Sequence, residues 1–220
     1  MSSTDNREAA FLCKITAATT HEIRNVLAIV QESGGLIEDM VRVFEDSGRL
    51  KPERILRSVE RIGAQVTRGS ELMTALNRVA HGLDHERERV DLYQEASQVA
   101  VLCARIAKQK GHKIQVVQDE KDVLLTANRM RLEMALFAGL ESCIEQLPEA
   151  GTVIMHSGRA GNTPTVDFAV EHVNANDLPS PTEADGWGRV IECLDLLGAN
   201  VETEGLSSRF RFGFPSADVG

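Results

Sequence analysis

Thr19 to Val30 reads Thr-Thr-His-Glu-Ile-Arg-Asn-Val-Leu-Ala-Ile-Val, and the periodic pattern that extends through this stretch decides the fold of the first part of the chain. Apolar or small residues recur there at alternating steps of three and four, which indicates a long helix that buries one face. His21 lies about 200° around such a helix from the buried positions on either side of it. We therefore predict that its imidazole is displayed on the outer side of the helix. The positions of the pattern are Leu12, Thr16, Thr19, Ile23, Val26, Val30, Ser33, Ile37, Met40 and Phe44.

A second helix is predicted from Pro52 onward, because proline is well tolerated in the first turn of a helix. Its apolar positions are spaced more regularly than those of the first helix and end near Leu83. Two helices joined by a short turn form an antiparallel hairpin. Apolar residues beside both patterns need a further partner, and a second copy of the chain would complete a dimeric four-helix bundle. The alternative is a monomer in which the following segment folds back over the hairpin.

Charge and cysteine content exclude several classes of protein. A formal net charge of −9 without a block of basic residues argues against nucleic acid or an anionic membrane as the main partner. The four cysteines are far apart and form no Cys-x-x-Cys pair, so buried free thiols are expected rather than a metal site or disulfides. His81 and His85 have metal-pair spacing but no evident orienting partner, so no metal site is predicted.

The sequence also carries no signal for export or membrane insertion. Its first residues lack an apolar signal core, and nowhere do about 18 apolar residues follow one another. We therefore expect a cytoplasmic protein.

The pattern of the chain changes after Asp84 to Arg89, which we interpret as a charged hinge. Short helices and antiparallel strand pairs then alternate, which favours an α/β sandwich with helices on one face of a sheet. The predicted fold class is therefore α+β, with a helical hairpin domain at 1–86 and a sandwich domain at 87–220. The predicted helices after the hinge are 92–110, 128–146 and 186–197, and the predicted strands are 113–118, 123–126, 152–157, 165–172, 200–204 and 209–214.

Three motifs, in this order, resemble those of a known family. His21-Glu22-Ile23-Arg24-Asn25 resembles the phosphoacceptor box of bacterial sensor histidine kinases. Arg131 to Leu136 resembles the run that leads into their asparagine box, and Gly186 to Glu202 resembles their last glycine box, helix and following strand. The resemblance covers the chain from about Ala10 to Pro215. It implies a dimerisation and phosphoacceptor hairpin followed by a GHKL-like ATPase domain.

The departures from the family pattern fall in the nucleotide site that the resemblance implies. The magnesium-binding asparagine run is replaced by Ala138 to Cys143, which contains no asparagine. The glycine-containing loop with which the family binds adenine is replaced by Glu171 to Asp177, which contains no glycine. A magnesium–triphosphate complex needs oxygen or amide ligands and close backbone approach to the phosphates. We therefore predict that the chain binds no nucleotide or other cofactor, and we interpret Trp187, between Gly186 and Gly188, as a packing residue.

A chain that keeps the phosphoacceptor and loses the phosphoryl donor site resembles the ChpT-type histidine phosphotransferases of bacterial phosphorelays. This resemblance implies that His21 accepts a phosphoryl group from an aspartyl phosphate on one receiver domain and passes it to an aspartate of another. A neutral imidazole nitrogen is nucleophilic, and the phosphoramidate it forms is labile enough to donate again. The implied partners are response regulator receiver domains, which would supply Mg²⁺, a hybrid histidine kinase, and a second copy of the chain.

The residues around His21 have predicted roles. Glu22 would accept a hydrogen bond from the His21 ring and orient it. Asn25 lies one turn beyond His21 on the same face, where its amide could touch the phosphoryl group or a hydrolytic water. For both residues the alternative is an ordinary exposed polar side chain. The expected contacts with a receiver are Arg24, Leu27, Leu72 and Leu76.

Two alternatives from other functional classes remain open. A soluble histidine kinase with a divergent nucleotide site would bind Mg²⁺-ATP and phosphorylate itself. A scaffold or regulator without catalytic activity would bind a kinase or a response regulator and would carry no phosphate.

Overall fold

The computed structural model describes residues 3–47, 51–82, 85–148, 150–171, 181–203 and 209–215, which form five α-helices and seven β-strands. The helices are α1 (Ser3–Ser47), α2 (Pro52–His81), α3 (Leu92–Gln109), α4 (Arg129–Gln146) and α5 (Trp187–Asp195). The strands are β1 (Glu88–Asp91), β2 (Lys113–Gln118), β3 (Leu124–Ala127), β4 (Thr152–Ala160), β5 (Thr163–Glu171), β6 (Asn200–Thr203) and β7 (Arg209–Gly213). Every predicted helix is present, with ends within a few residues of the predicted ones. None of the described helices combines the length and the hydropathy that a membrane crossing requires.

The helices α1 and α2 pack along each other as the predicted hairpin. Pro52 lies in the first turn of α2, where its missing N–H would have had no helical partner. Gly69 allows the two helices to approach closely, because a side-chain carbon added there would lie 3.3 Å from Val26 Cγ1. Val26 is itself buried, so the face predicted from periodicity is the one that meets α2.

The first strand takes in Glu88 and Arg89, the last two residues of the segment predicted as a charged hinge. Strand β1 pairs antiparallel with β3 in a two-stranded sheet that is separate from the main sheet. Val90 is buried, and Glu88 pairs with Arg129 at 2.9 Å. Pairing with a strand distant in sequence therefore extends the sandwich into the end of a segment whose local charge pattern indicated only a linker.

The main sheet has the strand order β2-β4-β5-β7-β6. Strands β2 and β4 are parallel, and the chain crosses from one to the other through α4, whereas the other neighbours are antiparallel. The sheet is therefore mixed, and not built from antiparallel hairpins alone. The β4–β5 hairpin is longer than predicted because its turn needs only Gly161 and Asn162, and Gly161 adopts a φ of 62° that suits glycine. His172, the predicted end of the second of these strands, lies outside the described residues.

Helix α4 is the central helix of the sandwich, and it is buried along most of its length. It packs against an aromatic face of the main sheet, on which the rings of Phe168 and Phe210 stack with centroids 4.7 Å apart. Gly139 is required by this contact, since an added side-chain carbon would lie 2.8 Å from Phe168 Cζ. Packing therefore explains the glycine in the segment that replaces the family's asparagine run.

The hairpin and the sandwich share one continuous hydrophobic core. Phe11 and Ile15 of α1, and Ala75 and Val79 of α2, are buried in the same cluster as α3 and α4. The end of the hairpin near the α1–α2 connection has no such cover from the described part of the chain. Its exposed large apolar side chains are Leu36, Val41, Val43, Phe44, Leu56, Val59 and Val66. At one end of the hairpin the following segment therefore covers the helices, as the alternative to a dimer predicted. The other end keeps an exposed apolar surface, and such a surface was predicted to contact a second copy of the chain.

Candidate functional site

His21 is exposed on α1, as predicted from its position around the helix. Its ring also contacts a side chain of helix α3. Its Nε2 atom lies 3.2 Å from Nη2 of Arg105. A guanidinium has only donors and remains charged at any ordinary pH, so Nε2 must accept this hydrogen bond. The proton of the neutral ring is thereby assigned to Nδ1. The lone pair of Nε2 is the nucleophilic one.

Glu22 is positioned differently from the prediction. Its side chain is turned inward and only 7% of the residue is exposed. The carboxylate forms an ion pair with Arg68 of α2 and lies 3.9 Å from Nε of Arg105. The predicted hydrogen bond to the His21 ring is absent from the contacts of the described residues, because consecutive side chains on a helix diverge by about 100°. Glu22 therefore holds arginines and does not orient the imidazole directly.

Asn25 is exposed one turn beyond His21, as predicted. Its amide Nδ2 donates to Glu22 Oε2 at 3.3 Å, so it belongs to the same polar network. The predicted contact of this amide with a phosphoryl group or a water remains a prediction.

A cavity of about 390 Å³ lies among α1, α2 and α3, and Arg105, the hydrogen-bond partner of His21, is on its wall. Its polar wall includes Glu22, Arg68, Glu71 and Arg105, and its apolar floor includes Leu72. Arg68 and Arg105 bring positive groups that no local sequence motif indicated, and Glu22 and Glu71 balance their charge. Arg105 thus places N–H donors, which suit the oxygens of an anionic group, next to a nucleophilic nitrogen.

The four predicted receiver contacts fall into two groups. Arg24 is exposed, and Leu27 is 61% exposed, so both are accessible on α1. Leu72 is only 5% exposed and Leu76 packs against the core, because α3 covers this part of α2. Burial of Leu72 argues against its contact with a partner in this arrangement, and the contact of the partly buried Leu76 stays a prediction.

Glu141 of α4 is the charged residue in Ala138 to Cys143, the run that replaces the family's asparagine run. Lys14 of α1 lies 2.5 and 2.7 Å from the two carboxylate oxygens, and Arg189 of α5 lies 3.1 Å from one of them. Both oxygens are thus held by cations from the neighbouring helices. This carboxylate does not fit the role of a Mg²⁺ ligand, since a metal would have to displace two positive side chains.

The first turns of α1 lie across α4 and α5 at the same place. Phe11 meets Phe137 edge-on, with ring centroids 5.5 Å apart, and Arg7 pairs with Glu192 at 3.2 Å. A cavity of about 320 Å³ remains between these helices, with Phe11 and Lys14 on its wall. In the part of the chain that is described, no cluster of three or more His, Cys, Asp or Glu side chains is arranged to hold a metal ion. Most of Glu171 to Asp177, the other departure from the family pattern, lies outside the described residues.

Trp187 packs in the way the sequence interpretation expected. Its ring meets Phe210 of the sheet edge-on, with centroids 5.1 Å apart. The residue between Gly186 and Gly188 therefore fills space at the start of α5.

Two buried carboxyl groups lie where the hairpin joins the sandwich. Arg78 of α2 donates to Glu95 of α3 at 2.7 Å, and Arg129 lies 3.5 Å from the same oxygen. Glu133 of α4 is also fully buried, and neither of its oxygens accepts a hydrogen bond. Burial, followed by repulsion from Glu95, raises the pKa of Glu133 from 4.5 to about 8. Glu133 is therefore protonated at neutral pH, which avoids a second negative charge in the core.

The cysteines match the prediction of free thiols. Cys103, Cys143 and Cys193 are buried and Cys13 is exposed, and none forms a disulfide. Burial raises the pKa of Cys193 to about 11 and that of Cys143 further still. These two thiols are therefore poor nucleophiles.

Histidine kinases are among the solved structures to which this chain is similar. The nucleotide-free catalytic domain of histidine kinase ThkA is 19% identical, with a TM-score of 0.48 and coverage of 60% of this chain and 97% of that one. Acinetobacter baumannii histidine kinase AdeS is 15% identical, with a TM-score of 0.47 and coverage of 90% and 98%. Histidine kinase ThkA in complex with response regulator TrrA is 20% identical, with a TM-score of 0.46 and coverage of 96% and 64%. No protein-family model and no curated protein matches the sequence.

Proposed function

We propose that the chain is a histidine phosphotransferase of a two-component phosphorelay. His21 takes a phosphoryl group from an aspartyl phosphate on one receiver domain and gives it to an aspartate on another. The observation that carries the proposal is the exposed His21, whose Nε2 accepts a hydrogen bond from Arg105 at the wall of a cavity that also contains Arg68.

The chemistry of each transfer balances within the two partners. Nε2 of His21 attacks phosphorus, the bond between phosphorus and the aspartyl oxygen breaks, and the aspartate leaves as a carboxylate. The Nδ1 proton then passes to water, which leaves a neutral phosphorylated ring. The second transfer reverses these steps on another receiver. Mg²⁺ bound by the receiver neutralises charge on the phosphoryl oxygens, and the chain needs to supply only the nucleophile and its setting.

Independence from ATP is part of the same proposal. Its support is the ion pairing of Glu141 with Lys14 and Arg189, together with the packing of Phe11 over α4. A nucleotide entering between α4 and α5 would have to displace the first turns of α1. The proposal therefore expects no shift in melting temperature with Mg²⁺-ATP, and a concentration-dependent shift would favour the alternative of a divergent kinase.

Homodimerisation is proposed from the uncovered end of the hairpin. Large apolar side chains on both helices are exposed there, among them Leu36, Phe44, Leu56 and Val66. Association with the same surface of a second copy would bury them in a four-helix bundle. The receiver would then dock nearer the other end of the hairpin, at Arg24 and Leu27 beside His21.

Phosphoryl transfer from a purified receiver tests the function. A receiver with a radiolabelled aspartyl phosphate is mixed with the chain without nucleotide, and label on the chain is followed by gel electrophoresis. We expect label that is lost in acid and stable in base, that disappears in His21→Gln and that persists in His85→Gln, which removes another exposed histidine. A stable complex with the receiver without any label would instead support a scaffold.

A further inference from the structure

Arg105 brings the sandwich domain into the phosphotransfer site. It is on α3, 84 residues beyond His21 in sequence, and its side chain is largely buried. The proposed function so far requires only the nucleophile on α1. The position of Arg105 gives the second part of the chain a direct share in the chemistry.

We infer that Arg105 is a catalytic residue, which holds His21 in the tautomer whose Nε2 carries the lone pair and then binds the oxygens of the phosphoryl group on the phosphohistidine. This inference rests on the proposed function. In the resting state the guanidinium occupies the direction from which phosphorus must approach Nε2. A small outward movement of Arg105 frees the lone pair and leaves its N–H groups beside the phosphoryl oxygens.

The chemistry of arginine suits both stages. A planar guanidinium offers several N–H donors in a fork, and it can bind two phosphoryl oxygens at once. A phosphoryl group attached to imidazole carries negative charge, and catalysis of its transfer is largely positioning and charge stabilisation. The cavity of about 390 Å³ beside Arg105 leaves room for the side chain to move as the group arrives.

Glu22 acts on this site through the arginines. Its carboxylate lies 3.9 Å from Nε of Arg105 and is also paired with Arg68. With Glu71 on the same wall, the two arginines and two glutamates carry no net charge, and Arg105 supplies the N–H group that lies at His21. Glu22 is therefore a positioning residue that lies on the Nε side of Arg105, while the Nη2 group that meets His21 remains available to the phosphoryl oxygens.

The test compares variants of the full chain in transfer from a phosphorylated receiver to His21. Arg105→Ala removes the fork and the charge, Arg105→Lys keeps the charge without the fork, and Lys108→Ala removes an exposed charge one turn later on the same helix. We expect Arg105→Ala to slow the transfer by at least about tenfold, as does the loss of a donor aimed at developing charge. Arg105→Lys should be intermediate, and Lys108→Ala should transfer at the wild-type rate.

A second measurement, of the His21 ring itself, tests the inference if poor folding of a variant obscures its transfer rate. Nitrogen-15 NMR of the histidine side chains should show His21 of the wild type with its proton on Nδ1, and Arg105→Lys should shift that signal more than Lys108→Ala does. Equal rates and equal His21 signals in the Arg105 and Lys108 variants would overturn the inference while the proposed function stands. Absence of label on the wild-type chain would overturn both.

Discussion

Buried Glu133 should make the stability of the protein depend on pH in an unusual direction. The folded protein holds a proton on this group up to about pH 8, whereas the unfolded chain releases it near 4.5. Stability from this group is therefore fully present below the unfolded pKa and is lost as the pH rises through the folded pKa. One proton of difference corresponds to a slope of about 1.4 kcal/mol per pH unit, or roughly 2.7 kcal/mol between pH 5.5 and 7.5.

The assay is urea unfolding of the wild type, Glu133→Gln and Glu145→Gln at several pH values and one protein concentration. The glutamine that replaces Glu133 is neutral at every pH and has nearly the shape of the protonated acid, so this variant should lose most of that slope. Glu145 is exposed on the same helix, and its variant should retain the wild-type slope. A Glu133→Gln variant whose unfolding free energy follows the wild-type pH dependence would refute the assignment of a neutral Glu133.

The remaining predictions concern packing and the two proposed interfaces. Gly139→Ala should destabilise the protein by about 1–3 kcal/mol, since the new methyl carbon meets the Phe168 ring, and unchanged urea unfolding would contradict this close approach. Leu27→Ala should weaken receiver binding measured by calorimetry with little change in melting temperature, because Leu27 is exposed; an unchanged affinity would remove it from the interface. Leu56→Glu should convert a dimer into a monomer by light scattering, and a variant that remains dimeric would move the dimer interface elsewhere.

Helical periodicity predicted the parts of the fold that depend on local pattern. The alternation of three and four in the first helix placed His21 on the outside and Val26 against α2, and both are so in the structure. Pro52 likewise marked the start of α2. These features depend on residues within one or two turns of each other.

The parts that sequence did not predict depend on contacts between distant segments. Charged residues before Val90 indicated a linker, yet pairing with β3 makes a strand there. Leu72 was expected to face a partner, but α3 covers it. The approach of Arg105 to His21 follows from the docking of α3 against the hairpin, and an arginine inside an amphipathic helix carries no signal of such a role.

The measurement that most directly tests the central claim is mass spectrometry of the peptide that contains His21 after two parallel incubations. One incubation contains Mg²⁺-ATP alone, and the other contains a phosphorylated receiver with all nucleotide removed. The account predicts a phosphoryl group on His21 only after incubation with the receiver. Phosphorylation of His21 by Mg²⁺-ATP alone, or an unmodified His21 after incubation with receivers that bind the chain, would contradict it.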